Sequence, residues 1–144
     1  MPFGTGTIDA MPSPIRQLSE AECRERLQHH GFIGRLGFVA GGHPMILPVN
    51  YVADGDSIAF CTESGTKLDS MASGADVVFE IDDSRPLYRS GWSVVITGKA
   101  REVTDHDELA RLRSGPLKSW AVGPDAHWVR IEVREISGRE IAEE

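Results

Sequence analysis

Three runs of strand-forming residues follow one another between Ile33 and Thr62, separated only by turns. Ile33–Ala40 ends at Gly41-Gly42, Met45–Val52 ends near Asp54-Gly55, and Ser57–Thr62 comes next. Gly-Gly and Asp-Gly are dipeptides that close two-residue hairpins. No crossover helix fits into gaps this short, so the three strands must pair antiparallel as a meander. Pro48 falls inside the second run. A proline removes a ladder donor, so that strand lies at an edge, a bulge or a barrel opening there.

The rest of the chain extends the same pattern. Val77–Ile81 is a further apolar strand, and Gly91–Val103 is a long one. In the long strand Trp92, Val94 and Ile96 share one face and Ser93, Val95 and Thr97 the other. Trp128–Val133 is the last clear strand, with Glu135–Ile141 as a candidate extension. Three short helices are predicted between the strands. Ser19 and Glu22 form a capping box, Leu18 and Cys23 sit where a hydrophobic staple would, and Gly31 is the stop. This first helix is expected to pack through Ala21 and Leu27. A second helix is read at Thr66–Ser73, with Leu68, Met71 and Ala72 inward, and a third from near Thr104 to Arg113. Asp82–Ser90 and Ser114–Ala126 read as loops. Hairpin succession without βαβ alternation favours a mainly antiparallel β-barrel or sandwich with peripheral helices.

A chain of 144 residues is about one domain. Residues 1–17, rich in Gly and Pro, are expected to form a flexible arm, and 18–144 one domain. The formal net charge of −7 is poorly suited to neutralising a phosphate backbone, which argues against nucleic acid as a partner. No apolar run approaches the ~18–20 residues of a membrane span. Cys23 and Cys61 are too few for a disulfide framework. The N-terminal residues lack a charged start and apolar core, so no secretory signal is read, and a reducing cytoplasm is the expected location.

Few segments carry chemistry. Gly91-Trp92-Ser93-Val94-Val95 lacks the second glycine of a nucleophile elbow, so Ser93 is not read as a nucleophile. The five histidines, His29, His30, His43, His106 and His127, never take the i, i+4 spacing of a helical zinc motif, and no metal site is expected. Thr62-Glu63-Ser64-Gly65-Thr66-Lys67 is different. It joins a strand to a helix, Gly65 lets backbone amides approach a ligand, and Ser64, Thr66 and Lys67 add hydroxyls and a cation. That is a candidate phosphate turn, although it is not a Walker motif. An aromatic and polar set accompanies it: Asn50-Tyr51, Trp92-Ser93, Trp120 and His127-Trp128.

Taken in order, the segments GRLGF, PVNY, FCTESGTKL, GWSVVITGKAREVTD and HWVRIEVREISGR resemble the pyridoxamine 5′-phosphate oxidase-like, FMN-binding split β-barrel family, from about Leu18 to Ile141. The resemblance implies a six-stranded antiparallel split barrel, a homodimer with its cofactor site at the subunit interface, and an oxidoreductase acting on a small molecule. It implies that Pro48 runs beside the isoalloxazine ring, and that Val49, Asn50 and Tyr51 offer backbone and side-chain polar atoms to the ring's edge. Thr62, Ser64, Gly65, Thr66 and Lys67 would hold the 5′-phosphate. Trp92 and Ser93 would lie near the ring or ribityl chain, and Trp128 and Arg130 would reach in from the second subunit. Two departures stand out. Thr66 precedes Lys67 where the family's vitamin B6 oxidases place an Arg-Lys pair, and Trp128-Val129-Arg130-Ile131 does not reproduce their Arg-x-His motif. Pyridoxamine phosphate oxidation itself is therefore not expected. The wider group also includes proteins that bind the deazaflavin F420 or haem. An F420-dependent oxidoreductase, or a non-catalytic flavin- or haem-binding module, are thus the alternatives. No general acid or base is assigned, because the cofactor would carry the redox chemistry.

Overall fold

The structure, a computed structural model, describes residues 14–31, 33–115 and 126–142. Seven antiparallel strands make one sheet that closes on itself. They are β1 (Ile15–Gln17), β2 (Ile33–Ala40), β3 (His43–Asp54), β4 (Ser57–Thr62), β5 (Asp76–Arg85), β6 (Ser90–Glu102) and β7 (His127–Ile141). The order is β1-β7-β4-β3-β2-β5-β6, and a further β6–β7 pairing closes a six-stranded ring. The expected barrel, rather than a sandwich, is what forms. β1 lies outside the ring, pairing with the end of β7 from Ile15↔Ile141 to Gln17↔Arg139. The last residues of the expected N-terminal arm are therefore a strand.

Strand alternation fills the interior. Leu36, Tyr51, Phe60, Phe79, Ile96 and Ile131 point inward and are almost fully buried. Each side chain of this size contributes ~1.5–3 kcal/mol when taken out of water. The Phe79 ring lies over the Cα of Gly34, where any Cβ would collide with it. The Tyr51 ring meets Phe79 edge-on, with centroids 5.0 Å apart. These contacts hold β3 in place at the position that matters below.

Three helices sit around the ring: α1 (Glu20–His29), α2 (Thr66–Met71) and α3 (His106–Arg113). The capping box of α1 forms: the Glu22 amide donates to Ser19 Oγ at 3.2 Å and the Ser19 amide to Glu22 Oε1 at 2.9 Å. Its buried side chains are Cys23 and Leu27; Ala21, expected to pack, is exposed instead. The buried Tyr51 hydroxyl donates to the Leu27 carbonyl at 3.0 Å and ties α1 to β3. α3 starts at His106, two residues past Thr104, because the Asp105 carboxylate caps it by accepting from the Glu108 amide at 2.9 Å.

Two loop assignments give way to regular structure. β5 runs on to Arg85, paired with β6 through Asp82↔Ser93 to Arg85↔Ser90. Only Pro86–Tyr88 turns the corner, as a 3₁₀ turn. β7 is one continuous strand of 15 residues, with a bulge in its pairing to β6 at Thr97/Gly98. Trp120 and most of the expected Ser114–Ala126 loop lie outside the described residues.

Candidate functional site

The ring is complete, but β3 and β4 pair over only part of their length. β3 pairs with β2 along its first eight residues, from His43↔Ala40 to Asn50↔Ile33. With β4 it pairs only further on, from Tyr51↔Phe60 to Asp54↔Ser57. Residues 43–50 therefore have no ladder partner on the side of β3 that faces β4. Pro44 and Pro48 lie in this stretch, four residues apart, so their nitrogens point to the same side of the strand. A side without a ladder is where a residue lacking an N–H removes nothing. Pro48 thus marks the barrel opening that its presence in the sequence implied.

β4 continues past the split through Cys61 and Thr62, held by β7 at Cys61↔Trp128 and Thr62↔His127. The chain then leaves the sheet through Glu63-Ser64-Gly65 and enters α2. Gly65 has φ +140 and open space around its Cα, a left-handed backbone that favours glycine. It starts α2 with no side-chain cap. The first amides of a helix have no partner within it, so these donors remain available. Lys67, in the first turn, is exposed. Among the described residues, the side chains of Asn50, Ser64 and Lys67 make no hydrogen bond or ion pair. A partnerless backbone edge, an uncapped helix start, an amide, a hydroxyl and an ammonium make a donor-rich opening. Such a set suits a ligand with a flat polar edge and an anionic end. The side chain of Thr66 lies outside the described residues.

The other expected residues go elsewhere. Val49 packs on the core, and Tyr51 is buried with its backbone in the β4 ladder. Burial pushes the Tyr51 hydroxyl up to about 12. Tyr51 is thus a post that supports the opening. Trp92 lies by α1, with the Arg26 guanidinium 4.9 Å over its ring and His30 edge-on at 4.8 Å. Two grooves of about 360 and 530 Å³ flank it and share Arg26, Asp83 and Trp92. None of residues 48–51 or 62–67 lines either groove, so one chain does not bring Trp92 to the opening. Ser93 is on the outer face of β6, opposite Asp82.

Trp128 and Arg130 are internal to their own chain. Both lie on the outer side of β7, where α3 covers them. Trp128 is 2% exposed and packs with Ala59, Val103 and Leu112. The Arg130 guanidinium donates to Glu108 at 2.6 Å and to Ser57 Oγ at 2.5 Å, and pairs with Asp54 at 3.0 Å. Asp54 also accepts from Arg111 of α3 at 2.9 Å. As folded in this chain, the two residues anchor α3 to the barrel and present no surface to a second subunit.

One surface escaped the sequence reading. The outer side of β3, β2 and β5 exposes Ile46, Ile33, Val39 and Val78, with Pro44 and Pro48. Arg35 lies among them and pairs with Glu80 at 3.1 Å and Asp82 at 3.2 Å. The signal was present in part: Ile33–Ala40 carries apolar residues on both faces, as a strand covered on both sides does, and Asp76–Arg85 adds Val78 to its charged outer face. Among the described residues no group of three or more His, Cys, Asp or Glu gathers as metal ligands would, and no helix is long and apolar enough to cross a membrane.

Comparison with known proteins gives a consistent result. Residues 19–140 match the family model described as pyridoxamine 5′-phosphate oxidase. An uncharacterised protein of Mycobacterium tuberculosis is 35% identical over 113 residues, 74% of each chain. The FAD binding protein of Mycobacterium smegmatis is similar in structure, with a TM-score of 0.77 and 32% identity over 90% of this chain and 100% of that one. A FAD-binding protein of Mesorhizobium loti follows, with a TM-score of 0.75 and 26% identity over 89% and 99% of the two chains.

Proposed function

Because the chain belongs to the pyridoxamine 5′-phosphate oxidase family, we propose that it is a homodimeric flavoprotein with oxidoreductase activity toward a small molecule. The observation that carries this reading is the split itself: a partnerless backbone edge at Pro48–Asn50, followed along β4 by the unspent donors of Ser64 and Lys67. The donor set fits a flavin nucleotide. Lys67, Ser64 and the free amides after Gly65 would hold the phosphate, and Pro48, Val49 and Asn50 would border the ring. When bound, the flavin would supply electron transfer to or from the substrate. The chain's own contribution is to bind, to orient and to exclude water. Tyr51 and Phe79 keep the opening rigid, and a second copy seated on the apolar outer face would close it.

FMN and FAD share the riboflavin 5′-phosphate that the Lys67 turn would recognise. The names of two relatives at 32% and 26% identity favour FAD, and FMN is the form the sequence resemblance implied. F420 also carries a phosphate next to its ring system and remains the alternative. The test is the visible absorption of the purified protein, with chromatography of the ligand released on denaturation. A bound flavin supports the proposal. A bound deazaflavin would replace it, and a protein that neither retains nor takes up a flavin would refute it.

A further inference from the structure

The outer face that a second copy would cover is apolar at its flanks and charged at its centre. Ile46 on β3 lies opposite Gly37, and Gly37 opposite Val78, so one row across three strands is flat and hydrophobic. The next row is Pro48, Arg35, Glu80 and Val95. A surface with apolar flanks and both signs of charge at its centre is complementary to a rotated copy of itself, which is what a two-fold pairing requires. It is also continuous with the partnerless edge of β3, so covering it would complete the opening.

The charges on this face do not balance. β2 contributes Arg35, and β5 contributes Glu80 and Asp82. β3 offers Pro44, Ile46, Pro48 and Asn50, and β6 Ser93, Val95 and Thr97, none of them charged; at the far end Asp76 of β5 is met by Lys99 of β6 at 3.4 Å and by Arg134 of β7 at 2.9 Å. One strand further, β7 places Arg139 opposite Ser93 and Glu135 opposite Thr97. At the centre one guanidinium, Arg35, faces two carboxylates, Glu80 and Asp82, which leaves one uncompensated negative charge there per copy. Burying such a charge is costly, and a carboxyl group in that position takes up a proton instead. Resting on the two-copy reading above, we propose that pairing of two chains across this face takes up a proton at Glu80, so the dimer tightens as the pH falls.

The environment of Glu80 already leans this way. Partial burial, and then the neighbouring Asp82 carboxylate, push it up to about 7, against the pull of Arg35. A partner's apolar surface adds desolvation and raises it further. A carboxyl group whose pKa rises on association favours the associated state at low pH, and that contribution fades as the pH climbs through the raised value. Protonated Glu80 also leaves the pair Arg35 and Asp82 balanced.

Sedimentation equilibrium of the protein as purified, with its ligand retained, tests this between pH 6 and 9. The wild-type dissociation constant is expected to rise roughly tenfold or more between about pH 7 and about pH 8.5. Glu80→Gln keeps the shape and removes the titration, so it should pair tightly with little pH dependence. Asp82→Asn balances Arg35 with one carboxylate and should move the dependence to lower pH. Added salt separates this from general repulsion, because screening weakens repulsion between like-charged chains but leaves proton uptake at a covered site. A wild-type dimer without pH dependence, or one whose dependence persists in Glu80→Gln, overturns the proposal and leaves the dimer reading intact. A protein that stays monomeric at every pH overturns both.

Discussion

At the scale of single residues, Lys67 and Trp128 make opposite cases. Lys67 is an exposed cation with no partner among the described residues, on a turn whose glycine has the left-handed backbone of an uncapped helix start. A charge-assisted hydrogen bond contributes ~1.5–3 kcal/mol. Lys67→Ala should therefore weaken FMN binding by roughly 10–100-fold. Riboflavin, which has no phosphate, should bind wild type and variant alike. Equal losses for the two ligands in calorimetric titration would take Lys67 out of the site. The strand-to-helix joint before Lys67 was legible in the sequence because Gly65 breaks the strand pattern there. Trp128 was not legible. Its spacing along β7 told which side of the sheet it takes, and no local signal told that α3 covers that side. With Trp128 wedged against Ala59, Val103 and Leu112, Trp128→Ala should cost ~3–5 kcal/mol of folding stability in urea denaturation. The flavin affinity of the folded fraction should not change. Weakened flavin binding at unchanged stability would return Trp128 to the cofactor site.

At the scale of elements, the hairpins were readable from turn chemistry and the long strands only in part. β5 was expected to end at Ile81, where its apolar residues end; in fact Asp82–Arg85 pair with β6 beyond the core. Those ladder bonds leave no trace in hydrophobic pattern. β7 read as two pieces because Arg134, Glu135 and Ser137 interrupt its apolar run, although the ladder with β6 carries it through to Ile141. Gly138 is not a break there. A Cβ at that position would stand 2.8 Å from Cys23 Sγ and 2.9 Å from the Ser93 carbonyl, so the residue is small because α1 and β6 press on it. The split between β3 and β4 is likewise an element-scale feature. Pro48 announced it, and only the register showed that the ladder begins at Tyr51. The apolar outer face calls for a prediction at this scale too. Ile46 is 71% exposed on β3, so Ile46→Lys should leave folding stability within about 0.5 kcal/mol. The same change should weaken pairing by roughly 30-fold or more, as a charge buried in an apolar part of an interface does. Gel filtration across a dilution series, with thermal unfolding alongside, reads both; unchanged pairing would mean that the face is not the interface.

At the scale of the whole molecule, the proposed cofactor opening and the Trp92 grooves lie apart in the single chain. The opening at Pro48–Asn50 and Ser64–Lys67 gathers donors, and among the described residues the grooves beside Trp92 are lined by none from that opening. A six-stranded ring whose outer face is half apolar is a reasonable half of something larger. On the proposed reading the dimer and the flavin go together: covering the outer face would complete the place proposed for the cofactor. Native mass spectrometry of the freshly purified protein tests both parts in one spectrum. The account predicts an assembly of two chains carrying two flavin nucleotides, with the flavins lost when the chains separate. A single chain without ligand, or a pair that neither carries nor takes up a flavin, would contradict it.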